Sequence, residues 1–591
     1  MKKTFALVLG LLLLLPLFAS CSPRESDDVG AIISMYIGGE IRNFDPAYTY
    51  NDTDALKVMG LLYESLFRLD SKGNVKKALA KSYKYTANPE EGEYKMEIRL
   101  KDTMWSDKTE ITADDVIYAW RRILDPAFTS EAACLLYDIK NARAVKAGDI
   151  SIDALGLSAP DTKLVEILFE KDIDPEAFTR ILTSPVLVPL REDKVEKPKT
   201  DERGDIILDE NGNKQLDTDW AEKSSSLVCS GPFVVKTLNE NEGRTYTLES
   251  NKYYYASESD LEYNRYDKHV KAYRILVHYE YTLDQLLADY NEGNVFYIGR
   301  LPLSEIQNYM KELTTQDTFF TYSLAINTTS NPILEDARVR RALSLAIDRN
   351  ELVSLTGGID KPATGLVPSP VFNTKAKTSF RKEGGDLIST SANMDEAKNL
   401  LKEAGISRGT IQLSYRSYSV SGIDKLTAEY IKQQWEALGF TVQLQSQSRF
   451  FYLENMKTQN YEVILVDRLT PTTDAYSALA PFALDFSGTG RDVENNNFDV
   501  VPHVSGYNSE TYNELIEAAY GYAPGTKERA DKLHEAEALL MQDMPIIPLT
   551  FKVDYYMSQG LKKIENSYYG YRYFEKTSQN NYKDYLPAET Q

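Results

Sequence analysis

The stretch Ile98-Arg99-Leu100-Lys101-Asp102-Thr103-Met104-Trp105-Ser106-Asp107-Lys108-Thr109-Glu110-Ile111-Thr112-Ala113-Asp114-Asp115-Val116-Ile117-Tyr118-Ala119-Trp120-Arg121-Arg122-Ile123-Leu124-Asp125-Pro126 changes its hydrophobic period once. Up to Leu100, the residues Tyr94, Met96, Ile98 and Leu100 alternate with charged ones, which predicts a strand with one apolar face. Ser106 to Thr109 is turn chemistry. Thr112 then stands as an N-cap, with Asp115 three residues on to close a capping box. Val116, Ile117, Trp120, Ile123 and Leu124 form one helical stripe, Arg121 and Arg122 suit the negative helix end, and Asp125-Pro126 stops it.

Working outward, the same alternation of periods recurs along the chain. Ala31 to Ile37 reads as an apolar strand, followed by a loop at Asn43 to Ala47. Leu164 to Phe169 alternates like a strand. Asp395 to Ala404 reads as a helix ended by Gly405. Ile411, Leu413 and Tyr415 form a strand, a helix runs past Leu426, Tyr430 and Trp435 to Gly439, and Phe440, Val442 and Leu444 form the next strand. This β-α-β pattern predicts α/β lobes. Tyr461 to Val466, apolar but for Glu462, reads as a fully buried strand, and Asp467 to Tyr476 is the loop at its carboxyl end. Asp209 to Asn213 invites a calcium-loop reading, but its glycine has the wrong offset for an EF-hand. A surface hairpin turning at Asn211-Gly212 is expected there.

With 591 residues the chain is too long for one core, so two or more lobes are expected. A formal charge of −21 argues against nucleic acid as the partner. The 40 tyrosines suit half-wet surfaces and clefts. At the front, Lys2 and Lys3 precede an apolar run from Phe5 to Phe18, the length of a signal-peptide core and short for a spanning helix. Cys134 and Cys229 either pair in an oxidising compartment or stay as buried thiols. His269, His278, His503 and His534 show no metal spacing, and no nucleophile elbow or phosphate loop is present. No catalytic residue, metal or cofactor is therefore nominated, and an extracellular hydrolase is a weak rival.

The opening stretch resembles, at Leu100, Trp105-Ser106-Asp107, Thr112-Ala113, Asp115-Val116, Arg122 and Asp125-Pro126, the solute-binding proteins of dipeptide and oligopeptide importers. Lys108 replaces the turn glycine usual in that family, which leads us to expect a turn without a positive φ. The resemblance continues through Leu62-Tyr63-Glu64, Gly231-Pro232-Phe233, the run from Asn327 through Arg338-Val339-Arg340 to Asp348-Arg349, and Pro545 to Pro548. The arginines of that run are expected on a solvated helix face, bonded to local carboxylates. Leu17-Phe18-Ala19-Ser20-Cys21 resembles a lipobox, so Cys21 is expected to carry lipid and to tie the protein to a membrane.

The resemblance implies a periplasmic-binding-protein type II-like α/β fold, two lobes closing on a ligand cleft, plus an accessory α+β domain. The expected division is leader 1–21, tether 22–29, first lobe 30–62 with 190–285 and 548–591, accessory domain 63–189, and second lobe 286–547. It implies a monomer without enzymatic activity. That monomer takes an extended peptide between its lobes and passes it to ABC permease subunits. Rival readings are the same fold holding an oligosaccharide, or a surface receptor that senses a solute.

Candidate cleft residues by the same resemblance are Tyr50, Asn51 and Asp52, then Arg449, Asp467, Arg468, Leu469, Thr470, Asp474 and Tyr476. Peptide binders of the family commonly carry a Trp where Arg468 stands and an Asp, for the ligand's α-amino group, where Pro471 stands. A second pocket Trp is replaced near Arg449. Asp474 or Asp467 is then expected to take a cationic ligand end, or else to cap the loop or the next helix. Trp105 and Trp120 are expected in a core and not in the cleft.

Overall fold

The computed structural model describes residues 31–581, apart from 40, 42, 48–52, 202, 210–211, 218, 239–244, 263–267, 280–281, 420–421, 489–490, 493–496, 501–502 and 504. Its spine is one long curled sheet. In chain order its main strands are β1 (Ala31–Tyr36), β2 (Phe233–Leu238), β3 (Thr245–Ser250), β4 (Ala272–His278), β5 (Tyr297–Ile298), β6 (Thr314–Ile326), β7 (Gly409–Arg416), β8 (Phe440–Gln447), β9 (Val463–Leu469) and β10 (Ile546–Ser558). They lie side by side as β8-β7-β9-β6-β10-β5-β1-β4-β3-β2, with Lys361–Pro362 added against β10.

Two strands of 13 residues, β6 and β10, carry this sheet from one lobe to the other. They pair antiparallel from Thr314↔Tyr556 to Ala325↔Ile546, but the register breaks between Asp317 and Thr321 and again between Tyr322 and Ser323. Such irregularities sharpen twist and bend a strand. The end of β10 joins the first lobe through Met557 and Ser558 on β5, while its beginning lies in the second lobe, where β9 pairs with the other edge of β6. β7 runs parallel to both β8 and β9, as crossover helices such as Ile423–Glu436 require.

The boundary drawn at 286 falls inside the helix Leu283–Glu292. That helix packs with Tyr36 and Met557, and β5 pairs with β1, so this segment sits on the first lobe's sheet.

The stretch quoted first folds as its pattern predicts. Glu93–Leu100 is a strand in a four-stranded antiparallel sheet, and Ala113–Leu124 is a helix, which we call α2 after α1 (Thr53–Leu62). The Asp115 carboxylate accepts from the Thr112 N–H at 2.8 Å and from the Trp105 indole N–H at 3.1 Å. Trp105 and Trp120 are fully buried. Arg122 donates two bonds to Asp45, at 3.0 and 2.7 Å, and so ties the accessory domain to the loop after β1.

Some expectations are corrected. Lys108 has φ +72°, so the lysine adopts the left-handed conformation that glycine takes without strain. The turn is held by Lys108 N–H to Trp105 O and by the Asp107 carboxylate on Thr109. Among the arginines of the second lobe, Arg338 is half-solvated and pairs with Asp336 as expected, at 2.6 Å. Arg340 and Arg349 are buried instead, and their forked donors satisfy backbone carbonyls, Arg340 at Asp543 and Leu334, Arg349 at Pro548.

The expected hairpin is present around Gly212, with Leu208 bridged to Lys214; Asn211 lies outside the described residues. It belongs to a larger knob. Lys199 bonds to Gln215, Gln215 to Ile207 and Ile207 to Lys199, a closed ring of three backbone bonds at a spacing of eight residues. Cys134 and Cys229 are free and buried.

Candidate functional site

In open α/β sheets, ligands meet the carboxyl ends of parallel strands, where side chains of several loops converge. Here the parallel trio β7, β8 and β9 ends at Arg416, Gln447 and Leu469, beside the crossing strands β6 and β10. Strand alternation sends Asp467 and Arg468 to opposite faces.

On one face, Arg416 bonds to Asp467 at 2.8 Å and to Asp424 at 2.7 and 3.0 Å. Tyr322 of β6 donates to Asp424 at 2.9 Å. Burial pushes the Asp467 carboxyl up, and Arg416 and Lys552 pull against it. Lys552 of β10 in turn holds Asp360 at 2.6 Å.

On the other face, Arg468 donates to Glu131 of the accessory domain at 2.9 Å, and His503 stands 3.3 Å from the same oxygen. Burial works against the Glu131 carboxylate, yet Arg468 and His503 bring it down to about 2. Burial also lowers His503, with Glu131 opposing.

The first lobe contributes a second charged cluster. Asp554 of β10 takes Lys57 of α1 at 2.7 Å, Arg572 at 3.2 Å and Arg300 at 3.3 Å. Asp54, one turn earlier on α1, accepts from the Gly39 N–H at 2.9 Å and lies 3.9 Å from both Lys57 and Arg300. Between Lys57, Arg300, Phe320, Lys552 and Tyr569 remains a cavity of about 20 Å³, the room of one water.

The residues expected in the cleft separate into groups. Tyr50, Asn51, Asp52 and the lipobox cysteine Cys21 lie outside the described residues. Asp467 and Arg468 meet internal partners, as above. Leu469 is core. Thr470 is buried and donates its N–H to Phe319 O at 2.8 Å. Arg449 opens the helix Arg449–Lys457 and places its guanidinium 4.5 Å from the Tyr418 ring, at the rim formed by the ends of β7 and β8.

Asp474, expected to take a cationic ligand end or to cap, stands two residues before the helix Tyr476–Leu479 and accepts the Tyr476 N–H at 3.0 Å. Its second oxygen takes Arg529 at 3.0 Å. Tyr476 lies under that guanidinium, 4.5 Å away, within the core and not on a cleft wall.

Sequence reasoning passed over Arg416, Asp424, Glu131, Lys552 and Asp554, because apart from the Arg416–Asp424 pair, eight residues apart, their partners come from elements distant in the chain. One signal was present. Lys552-Val553-Asp554 puts two charges on one face of a strand in an otherwise apolar and aromatic stretch.

Two lobes joined by β6 and β10, with charged groups converging from both, define a hinged solute-binding protein. The profile of the family described as bacterial extracellular solute-binding proteins, family 5 Middle, matches residues 74–490, and the chain belongs to that family. Among relatives, the dipeptide-binding protein DppE of Bacillus subtilis is 26% identical over 88% of this chain and 86% of its own length. The oligopeptide-binding protein OppA of the same organism is 24% identical over 94% and 95%. The structure of Listeria monocytogenes OppA bound to peptide shares the fold, with a TM-score of 0.74, 22% identity and coverage of 93% of this chain and 99% of that one.

Proposed function

We propose that this protein is the lipid-anchored, extracytoplasmic receptor of an ABC importer, capturing peptides between its lobes and delivering them to a permease. The observation that carries this is the pair of crossing strands with polar groups presented to one cleft from both sides. The names of the relatives, dipeptide-binding protein and oligopeptide-binding protein, supply the cargo class. Contacts on both lobes stabilise the closed state, because only differential affinity moves an open–closed balance. Micromolar capture needs about 8 kcal/mol, within reach of a few backbone bonds and desolvated contacts. The anchor rests on Leu17 to Cys21, with Ser22 to Val29 as its tether, and the receptor acts as a monomer, with no part in catalysis.

Native mass spectrometry of the freshly isolated chain tests this. A ladder of peptide masses is expected; one recurrent non-peptide mass would sink the peptide assignment and leave only the hinged binder.

A further inference from the structure

On the second lobe, the helices Ala337–Leu345 and Lys527–Asp543 and the loop around Ser389 border a cavity of about 250 Å³. Helical spacing builds two of its walls. Arg341, Ser344 and Leu345 share one face of the first helix, and Ala538, Met541 and Gln542 share one face of the second, each set at i, i+3 and i+4. Met544, at the end of the second helix, leads into β10, whose Ile546 stands opposite Ala325. Ile464, near the start of β9, pairs with the same Ala325. The cavity thus sits toward the end of that sheet away from Arg416, Gln447 and Leu469, apart from the charged groups of the candidate cleft.

Its charge runs against the composition of the chain. Arg341 and Arg349 line it with no Asp or Glu, in a protein whose 88 acidic residues outnumber its 67 lysines and arginines. Arg349 is fully buried, and its guanidinium donates to neutral oxygens, the carbonyls of Pro548, Ser389, Ser344 and Ile347 and the Ser344 hydroxyl. Its Nη2 makes a single bond, to Ser344 Oγ at 2.9 Å, so among the described residues one N–H of that nitrogen has no protein acceptor. Asp348, next in the chain, is used as a cap, accepting the Glu351 N–H at 2.9 Å. Burial lowers Arg349 to about 10, against the opposing pull of Tyr430 and Asp348. A dry guanidinium held by dipoles alone is costly, and an anion beside it offsets that cost. Arg341, half-buried on the facing turn, enters no ion pair among the described residues.

The remaining lining sets the class of anion. Leu345, Leu387, Ile388, Met541 and Met544 supply apolar walls, and the methionines adapt their shape to what they meet. At about 30 Å³ for each water-sized group, 250 Å³ holds about eight of them. A compact inorganic anion leaves those walls in water, and a cation sets positive charge against the arginines. The planar fork of a carboxylate matches a guanidinium. We propose that this cavity is a second ligand site, taking a carboxylate with an apolar body of about six carbons, its head on Arg341 and Arg349 and its tail against Leu387, Ile388 and the two methionines. The site lies within one lobe and is indifferent to what the cleft carries.

Calorimetry on the full mature protein tests this with hexanoate, hexylamine and inorganic phosphate as probes. Hexanoate is expected to bind saturably, with a dissociation constant of about a millimolar or below. Phosphate is expected to bind at least about fivefold more weakly, and hexylamine not at all. Two variants locate the binding. Arg341→Gln removes the half-buried guanidinium, and Ala538→Phe fills the cavity from an exposed helix position. Each is expected to weaken hexanoate by about fivefold or more, with the fold checked by circular dichroism. A smaller loss in either folded variant overturns the assignment by placing hexanoate elsewhere. So does wild-type protein that binds no hexanoate, or that binds phosphate or hexylamine as well; these comparisons need no variant.

Discussion

Arg468, the last charged residue of β9, donates to the Glu131 carboxylate at 2.9 Å across the boundary between the second lobe and the accessory domain. Both side chains are nearly buried, at 7% and 11% exposure, and His503 packs against the same carboxylate. The ring of Phe482 lies under the guanidinium at 5.2 Å. A pair this enclosed is felt mainly when one partner is removed, because the other is then left charged and dry.

Glu131→Gln is accordingly expected to destabilise by about 3 kcal/mol, with Arg468→Gln similar and the double variant losing clearly less than the sum. Urea unfolding of the four proteins measures the coupling. Additive losses would show that the two residues act independently. If the pair also clasps the lobes shut, the ligand-free single variants show a larger radius of gyration in solution scattering than wild type.

The same pair sets a pH dependence. Glu131 titrates near 2 when folded against a usual value of 4.5, so its stabilisation is complete above 4.5 and is lost as pH falls toward 2. His503 is lowered from 6.5, which means that the unfolded chain binds its proton first, and stability is lost as pH falls below 6.5. Asp467 has the opposite sign: its raised value makes its ionised form a cost above 3.8. Thermal midpoints are expected to fall from pH 7 to pH 4. His503→Gln should flatten the part of that fall between pH 6.5 and 5, relative to its own value at pH 7. An unchanged slope there would remove His503 from the account.

Lys108 is strained in the native turn, at φ +72°. Left-handed backbone costs a non-glycine residue about 1–2 kcal/mol, and glycine gives part of this back as unfolded-state entropy. Lys108→Gly is expected to raise stability by about 0.5–1 kcal/mol, read as an upward shift in the melting midpoint. A fall in the midpoint would mean that the lysine side chain contributes more than its backbone costs.

Cys134 and Cys229 are expected to be silent toward a water-soluble thiol reagent in the native protein and to react fully once it is unfolded. Both are buried, and burial pushes the Cys229 thiol up to about 12 and Cys134 higher still, so neither forms thiolate near neutral pH. Rapid labelling of the native protein by one equivalent would place one of them at the surface.

Much of this protein is determined by the sequence on its own. Alternation up to Leu100, the box from Thr112 to Asp115 and the apolar face of Trp120 specify strand, turn and helix through contacts within a few residues. The apolar run from Val463 to Val466 likewise predicts a strand buried on both faces, and β9 is buried along its full length. Local interactions of this kind depend only on spacing along the chain, which is why they are legible there.

Tertiary structure alone decided what the charged residues do. Nothing near Asp474 in sequence announces Arg529, and nothing near Arg468 announces Glu131. Likewise Lys57 finds Asp554 only because α1 and β10 meet at the hinge. An ion pair is made by distance and burial, and both are set by how far-apart elements pack. A loop that reads in sequence as two acids awaiting a cation is, once folded, a loop whose acids are already paired.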